Sequence, residues 1–390
     1  MSRPTRPGGV NVVFADHSSE RGGAEFALVR LLQTSQPWHP TVVLPRAAPG
    51  ATNVFAESLP EGVALVQTGP RHVARQQGGS GALAAARLAA KILASAFDLA
   101  RLRAVRDADV LVANTTRASV YVAAAGALTR TPFVVHIRDL ITEDAIGGPA
   151  THLMRQFVLP RAAGIIANSR ATLETVLPYV RTDVVDVIPS PSGLHPVDPA
   201  TVTVPATVAR IGLVARIDPW KGQELLLRAF ASACPDGGAR LVFFGGPSFG
   251  HEEFLRDLNA LARELGVEER VEFAGHSSDI AAAIDSLDVC VQCSLRPEPL
   301  GQNVLQYLSA GKPTIVSGEG GPAEWVADRD NGLVFAPREV ESLAAAIRTL
   351  IDDSDLRGRL ARRAAATPDL LVDEEIGIRI RDVAERSANW

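Results

Sequence analysis

The feature that most constrains this chain is a repeated unit: a short unbroken apolar run, a turn, then a longer alanine- and leucine-rich stretch. The runs at 10–15, 41–44, 63–67, 110–113, 133–136, 164–167 and 184–188 are continuous rather than alternating. A strand written that way needs cover on both faces, and a parallel sheet flanked by helices supplies it. Helical stretches at 24–32, 81–106, 118–128, 150–162 and 170–177 fall between most of them. Pro189, Pro191, Gly193, Pro196, Pro199 and Pro205 then cluster as a linker. A second series follows, with strands at 209–215, 241–245, 271–274, 289–293, 314–316 and 333–335 and helices at 221–233, 252–265, 280–286, 302–309 and 340–352. The pattern predicts an α/β chain of two Rossmann-like, doubly wound domains, 1–195 and 205–365, and a helical segment at 366–390. Such domains carry ligand loops at the C-terminal ends of their strands. Two in tandem are expected to present those loops to a shared central cleft.

With 390 residues, 46% of them hydrophobic and 21% charged, the chain can bury large cores and is not a disordered polymer. A net charge of −5 argues against a nucleic-acid partner, which wants a strongly basic face. Three cysteines, Cys234, Cys290 and Cys293, are too few for a disulfide framework and fit a reducing compartment. Cys290 and Cys293 lie in the run DVCVQCS, so both thiols are expected in a buried strand rather than on a metal. Residues 1–9 lead straight into the first strand and no apolar run reaches about 18 residues, so a cytoplasmic location is expected. Between 71 and 106, seven cations (Arg71, Arg75, Arg87, Lys91, Arg101, Arg103, Arg106) face one anion, Asp98. That region is either a solvated helix face or a peripheral contact with the inner face of a membrane.

Common nucleotide signatures are missing. The loop after the first strand reads ERGGAE (20–25) rather than G-x-G-x-x-G, and Gly311-Lys312 is followed by Pro313. Asp-x-Asp occurs at Asp107/Asp109 and Asp328/Asp330, and neither of these pairs clearly follows a strand. No metal and no resident cofactor are expected. Glu25 and Glu324 read as helix N-terminal charges. The informative segment is RPEPLGQNVLQYLSAGKPTIVSGEGGPAE (296–324). There Glu298 sits in a proline-flanked loop with no helical partner to neutralise it, and Gly301 opens a helix whose first amides form an anion site. Upstream, LVARIDPWKG (213–222) sets Arg216 and Lys221 directly after a strand. Two cations near helix N-termini suit a diphosphate.

At this point an ordered set of motifs resembles a known family. It comprises GGAE (22–25), VVHIRD (134–139), IIANS (165–169), VIPSPSG (187–193), VARIDPWKG (214–222), VFFGGP (242–247), RVEFAGH (270–276), PEPLGQNVLQYLSAGKP (297–313) and GGPAEWV…NGLVF (320–335). The set resembles the retaining GT-B glycosyltransferases of family four, of the group 1 type, over nearly the whole chain. The resemblance implies transfer of a sugar from a nucleotide-diphosphate sugar to a glycan, lipid-linked or small-molecule acceptor, without a metal. It implies that Arg216 and Lys221 grip the diphosphate and that amides near Leu300 and Gly301 meet the phosphates. Glu298 would contact the donor sugar, His136 would lie near it, and Gly22 and Gly23 would form the N-domain loop. Gln306 stands where the family has a second glutamate on the ribose, so a weaker ribose contact is expected. The final stretch is expected to cross back onto the first domain. Two rivals remain at this level: a GT-B sugar-nucleotide epimerase, and a non-catalytic sugar-nucleotide-binding subunit hinted at by Gln306.

Overall fold

The computed structural model describes residues 9–18, 22–46, 53, 55, 58–69, 82–193, 195–235, 237–247 and 250–390, with backbone alone for 82–86 and 88. Arg71 and Arg75 lie outside the described residues. Seven strands form one sheet: β1 (Val10–Ala15), β2 (Trp38–Pro45), β3 (Ala64–Thr68), β4 (Val110–Ala113), β5 (Phe133–Ile137), β6 (Gly164–Ala167) and β7 (Val185–Val187), in the order β3-β2-β1-β4-β5-β6-β7. Six more form a second: β8 (Arg210–Val214), β9 (Arg240–Phe244), β10 (Val271–Gly275), β11 (Val289–Gln292), β12 (Thr314–Ser317) and β13 (Leu333–Phe335), in the order β10-β9-β8-β11-β12-β13. Every ladder in the two sheets is parallel. β4, β6, β11 and β12 are buried at every position, which is why their runs are apolar or small residues but for Gln292 at the end of β11. Cys290 and Cys293 are free, buried thiols on and just after β11, and burial pushes both thiols up.

The chain divides into two compact units, Met1–Pro191 with Asp373–Trp390, and Ser192–Val372. In each sheet the strand order reverses once, beside β1/β4 and beside β8/β11. Successive connections depart to opposite sides there, so the loops beyond the C-terminal ends of those strands leave a crevice. Asp16, Asn114, the 215–222 turn and the 293–301 loop all stand at these two places.

Local elements depart from expectation where packing overrides propensity. The single helix expected at 81–106 is two, Ala82–Arg101 and Arg103–Asp107, because Leu102 turns extended at ψ 132°. The break lets Leu99 and Val105 enter one core, which a continuous helix would point apart. The helix expected at 150–162 starts at Gly148, widens into a π turn at Met154–Val158 and ends in a 3-10 turn at Leu159–Arg161, where Pro160 offers no amide to continue the ladder.

One feature outside the sheet braces each unit from within. The last helix, Asp373–Ala388, buries Ile376, Ile380, Val383 and Ala384 against the first unit, and its Arg379 pairs with Asp186 at 2.5 Å. In the second unit, Arg357 is completely buried. Its Nη1 donates to Leu350 O at 2.6 Å and Ile351 O at 3.3 Å, and its Nη2 donates to Pro205 O at 2.7 Å and Ala206 O at 2.8 Å. It therefore satisfies carbonyls in the last turn of helix Val340–Asp352, where the helix dipole is negative, and fastens the segment that leads into β8.

Candidate functional site

In the second unit the site begins at the end of β8. Asp218 caps a 3-10 turn (Pro219–Lys221), and Gly222 follows at φ 79° before helix Gln223–Ala233. A side chain at Gly222 would meet Cys293 O at 2.0 Å, so the turn is pressed against the end of β11 and only glycine fits. The turn delivers Lys221 to Glu298: Nζ lies 2.9 Å from Oε1 and 4.1 Å from the centre of the Trp220 ring. Glu298 is 6% exposed. Glu298, expected in a proline-flanked loop with no helical partner to neutralise it, is neutralised instead by a cation from another part of the chain, which the adjacency of β8 and β11 supplies.

Three donors converge on Glu298 Oε1: Lys221 Nζ, the Ser294 hydroxyl, and Gln292 Nε2 at 3.3 Å. Oε2 has no partner among the described residues. Burial alone would raise the Glu298 pKa, but the Lys221 charge and the bonds from Ser294, Lys221 and Gln292 outweigh it and hold the carboxyl below its ordinary value. Glu298 is therefore a fixed anion with one oxygen engaged and one to offer. Gln292 also accepts from Ser317 N at 3.2 Å, which ties the end of β12 into the same cluster.

Beyond Glu298, Gly301 adopts φ 73° as the cap of helix Gln302–Ser309, and a Cβ there would meet Pro322 Cγ at 2.5 Å. The amides of Leu300 and Gly301 have no partner among the described residues and precede that helix, where its dipole favours an anion. Arg216, at the end of β8, has its side chain 46% exposed and 3.6 Å from Asp218. Gln306 is buried, and its Nε2 donates to Ser192 O at 3.0 Å.

The first unit holds a second polar cluster at its own strand reversal. Asp16, fully buried after β1, accepts from the amides of His17 and Ser18 and from Asn114 Nδ2 at the end of β4. Gly22 caps helix Gly23–Gln33, and Glu25 in its first turn is buried beside Asp16. Burial, and then the Asp16 charge, push Glu25 up to about 7. Ligand atoms of Asp16, His17 and Glu25 lie within 4.8 Å of one another, the grouping here that a cation would approach. Asp16 already accepts three protein donors, and the Arg138 charge supplies positive potential beside it.

His136, on β5, is 1% exposed. Its Nδ1 lies 3.2 Å from Arg138 Nη2, and its Nε2 is buried without a partner among the described residues. Burial first and Arg138 second hold its pKa well below the ordinary histidine value, so the ring is neutral. Sequence reasoning missed Gln292, Ser294, Asp16, Asn114 and Arg138. The available signal was polar residues at the ends of otherwise apolar strands, as in DVCVQCS and VNVVFAD.

Residues 199–367 match the family model described as glycosyl transferases group 1, and residues 22–191 match the glycosyl transferase 4-like domain. The chain is 33% identical over 171 residues to the lipopolysaccharide core biosynthesis glycosyltransferase LpsE of Rhizobium meliloti, which covers 44% of this chain and 48% of that protein. It is 29% identical over 228 residues to the D-inositol 3-phosphate glycosyltransferase of Stackebrandtia nassauensis, covering 53% of this chain and 50% of that one. The chain thus spans about half the length of these relatives. Among solved structures, Anabaena Alr3699/HepE in complex with UDP-glucose is similar at a TM-score of 0.74 and 25% identity, covering 96% of this chain and 98% of that one.

Proposed function

We infer that this chain, which belongs to the glycosyl transferases group 1 family and has its two-domain GT-B fold, moves a sugar from a nucleotide-diphosphate sugar to an acceptor hydroxyl with retention of anomeric configuration. The observation that carries this reading is the cluster beyond β8 and β11: the Lys221–Glu298 pair at 2.9 Å beside the unpartnered amides of Leu300 and Gly301. Lys221 and those amides stabilise the charge that builds on the leaving diphosphate, with Arg216 as a second cation at the rim. The open Oε2 of Glu298 accepts hydroxyls of the donor sugar. An ion-paired carboxylate held by three donors is a poor nucleophile, which supports a front-face route. In it the bond from the anomeric carbon to the phosphate oxygen breaks as the acceptor oxygen bonds on the same face. The acceptor proton passes to the departing phosphate. Gln306 faces the ribose with an amide oxygen where a carboxylate is usual, at a cost of about 1 kcal/mol. Gly22, Gly23 and His136 belong to the acceptor-binding first unit.

The UDP-glucose complex of the Anabaena protein makes UDP-glucose the first donor to try. The full chain is expected to release UDP from UDP-glucose in excess chelator, with α-glucose as the first-formed anomer when water serves as acceptor. β-Glucose as first product would overturn retention, and activity that vanishes with chelator and returns with magnesium would overturn the metal-free route.

The reading extends to where the enzyme works, in the cytoplasm against an anionic bilayer. Helix Ala82–Arg101 exposes Leu93 (65%) and Phe97 (51%) one turn apart, with Arg101 4.0 Å above the Phe97 ring. Arg87 and Lys91 on the same helix and Arg103 and Arg106 on the next are exposed as well, Arg103 pairing with Asp107 at 3.1 Å. Exposed apolar side chains on a cation-rich helix suit an interfacial position. Vesicles containing phosphatidylglycerol are expected to co-sediment the protein, and vesicles of phosphatidylcholine alone are not. Reversing Arg87 and Lys91 to glutamate should weaken binding at least about twentyfold, and equal binding to both vesicles would sink the assignment.

A further inference from the structure

The guanidinium of Arg138 is anchored on three sides within the first unit. Nε donates to Asn114 O at 3.1 Å, Nη2 to Asn114 Oδ1 at 3.0 Å, and Nη1 to Ser190 Oγ at 2.6 Å. Held this way, Nη2 also meets His136 Nδ1 at 3.2 Å. A guanidinium has donors only, and a neutral imidazole has one N–H and one lone pair. Nδ1 must therefore accept, and the imidazole proton resides on Nε2. That Nε2 is the buried atom without a partner among the described residues.

Buried donors are ordinarily satisfied, and one left open in a ring that is 1% exposed marks a bond kept for something that arrives. A doubly protonated ring would set two cations side by side, which burial and Arg138 both oppose. Asp16, Glu25 and Asp139 act on Arg138 from β1, the first turn of helix Gly23–Gln33 and the end of β5, and they offset part of its burial, leaving it lowered to about 10 and still charged at neutrality.

We propose that Arg138 is a positioning residue that locks His136 as its neutral Nε2–H tautomer, so that His136 donates one hydrogen bond to an uncharged oxygen, a hydroxyl of the bound sugar substrate. The identity of the substrate rests on the transferase reading, whereas the tautomer does not. The lock gives this histidine one protonation state and one direction in which to donate.

The test is a long-range proton–nitrogen NMR spectrum of the substrate-free full chain, with His136 assigned by His136→Gln. The expected spectrum has a protonated Nε2 and an unprotonated Nδ1, unchanged from about pH 5 to pH 8. A protonated Nδ1, a mixture of tautomers or a titration in that window would overturn the lock in the wild-type protein, without any variant. Arg138→Met should release the ring, giving a mixture of tautomers or a titrating imidazole; an unchanged spectrum would show that Arg138 does not set the state. In turnover of UDP-glucose, Arg138→Met should lower kcat/KM at least about tenfold while affinity for free UDP stays within about twofold. An equal loss for UDP would mark a general structural defect and overturn the positioning role. A wild-type chain with the expected spectrum and no turnover of UDP-glucose would count against the transferase reading and leave the lock standing.

Discussion

Replacing Lys221 by methionine is expected to cost both stability and turnover, and the two losses separate. Removing the cation leaves Glu298 buried with its charge uncompensated, and breaking such a pair costs about 3 kcal/mol of folding stability. On the proposed role of Lys221 the same substitution removes a donor to the leaving diphosphate, so turnover of UDP-glucose should fall about a hundredfold or more, an effect of about 3 kcal/mol on the barrier. The double variant Lys221→Met/Glu298→Gln removes the stranded charge. It should regain most of the melting temperature and none of the turnover. Acid provides a second check, because Glu298 has its folded pKa below the unfolded value of 4.5. Its ionised form therefore stabilises the wild-type protein above that value, and the contribution is lost as pH falls through the folded pKa. In Lys221→Met the carboxylate loses its cation, so the deficit against wild type should be largest near neutrality and shrink in acid. A melting deficit independent of pH, or a Lys221→Met protein with normal turnover, would refute the assignment.

Arg357→Ala is expected to be the most destabilising single change in the second unit. Four carbonyls, of Leu350, Ile351, Pro205 and Ala206, would lose their donor at once, and a cavity the size of the side chain would open. Orphaned buried acceptors and large-to-small truncations each cost about 1–4 kcal/mol, so a loss of about 4 kcal/mol or more follows. Arg357→Lys should recover only a fraction, because one ammonium cannot reach two helix-end carbonyls and two connector carbonyls together. Thermal melting decides it: an alanine variant melting within about two degrees of the parent would show that the four bonds contribute little net energy.

These two residues illustrate what was legible in the chain. Lys221 is one of three lysines in an arginine-rich sequence and follows a strand, and Glu298 sits in a proline-flanked loop before a glycine-capped helix. Both stand out from neighbours within a few positions. Their contact with each other does not, since 77 residues separate them. Arg357 reads as one more charge in SDLRGRLARRAA, and nothing local distinguishes it from its exposed neighbours. Likewise Arg138 is two residues from His136, but its grip on that ring depends on Asn114 and Ser190.

The sequence by itself determined the class of fold and the ends of the strands where chemistry collects. Unbroken apolar runs demand cover on both faces, helical periods between them supply it, and polar or glycine residues at the run ends are short-range signals. The tertiary structure alone decided which strand ends meet. The order of strands in a sheet is a contest among whole packings rather than a property of any segment, so β8 and β11 are neighbours while β9 and β10 lie to one side. That adjacency turns an isolated lysine and an isolated glutamate into a buried ion pair. In the same way β1 and β4 bring Asp16 to Asn114 across 98 residues. It also breaks the helix at Leu102 and buries Arg357, because burying Leu99 with Val105, or satisfying four carbonyls, outweighs what the local sequence prefers.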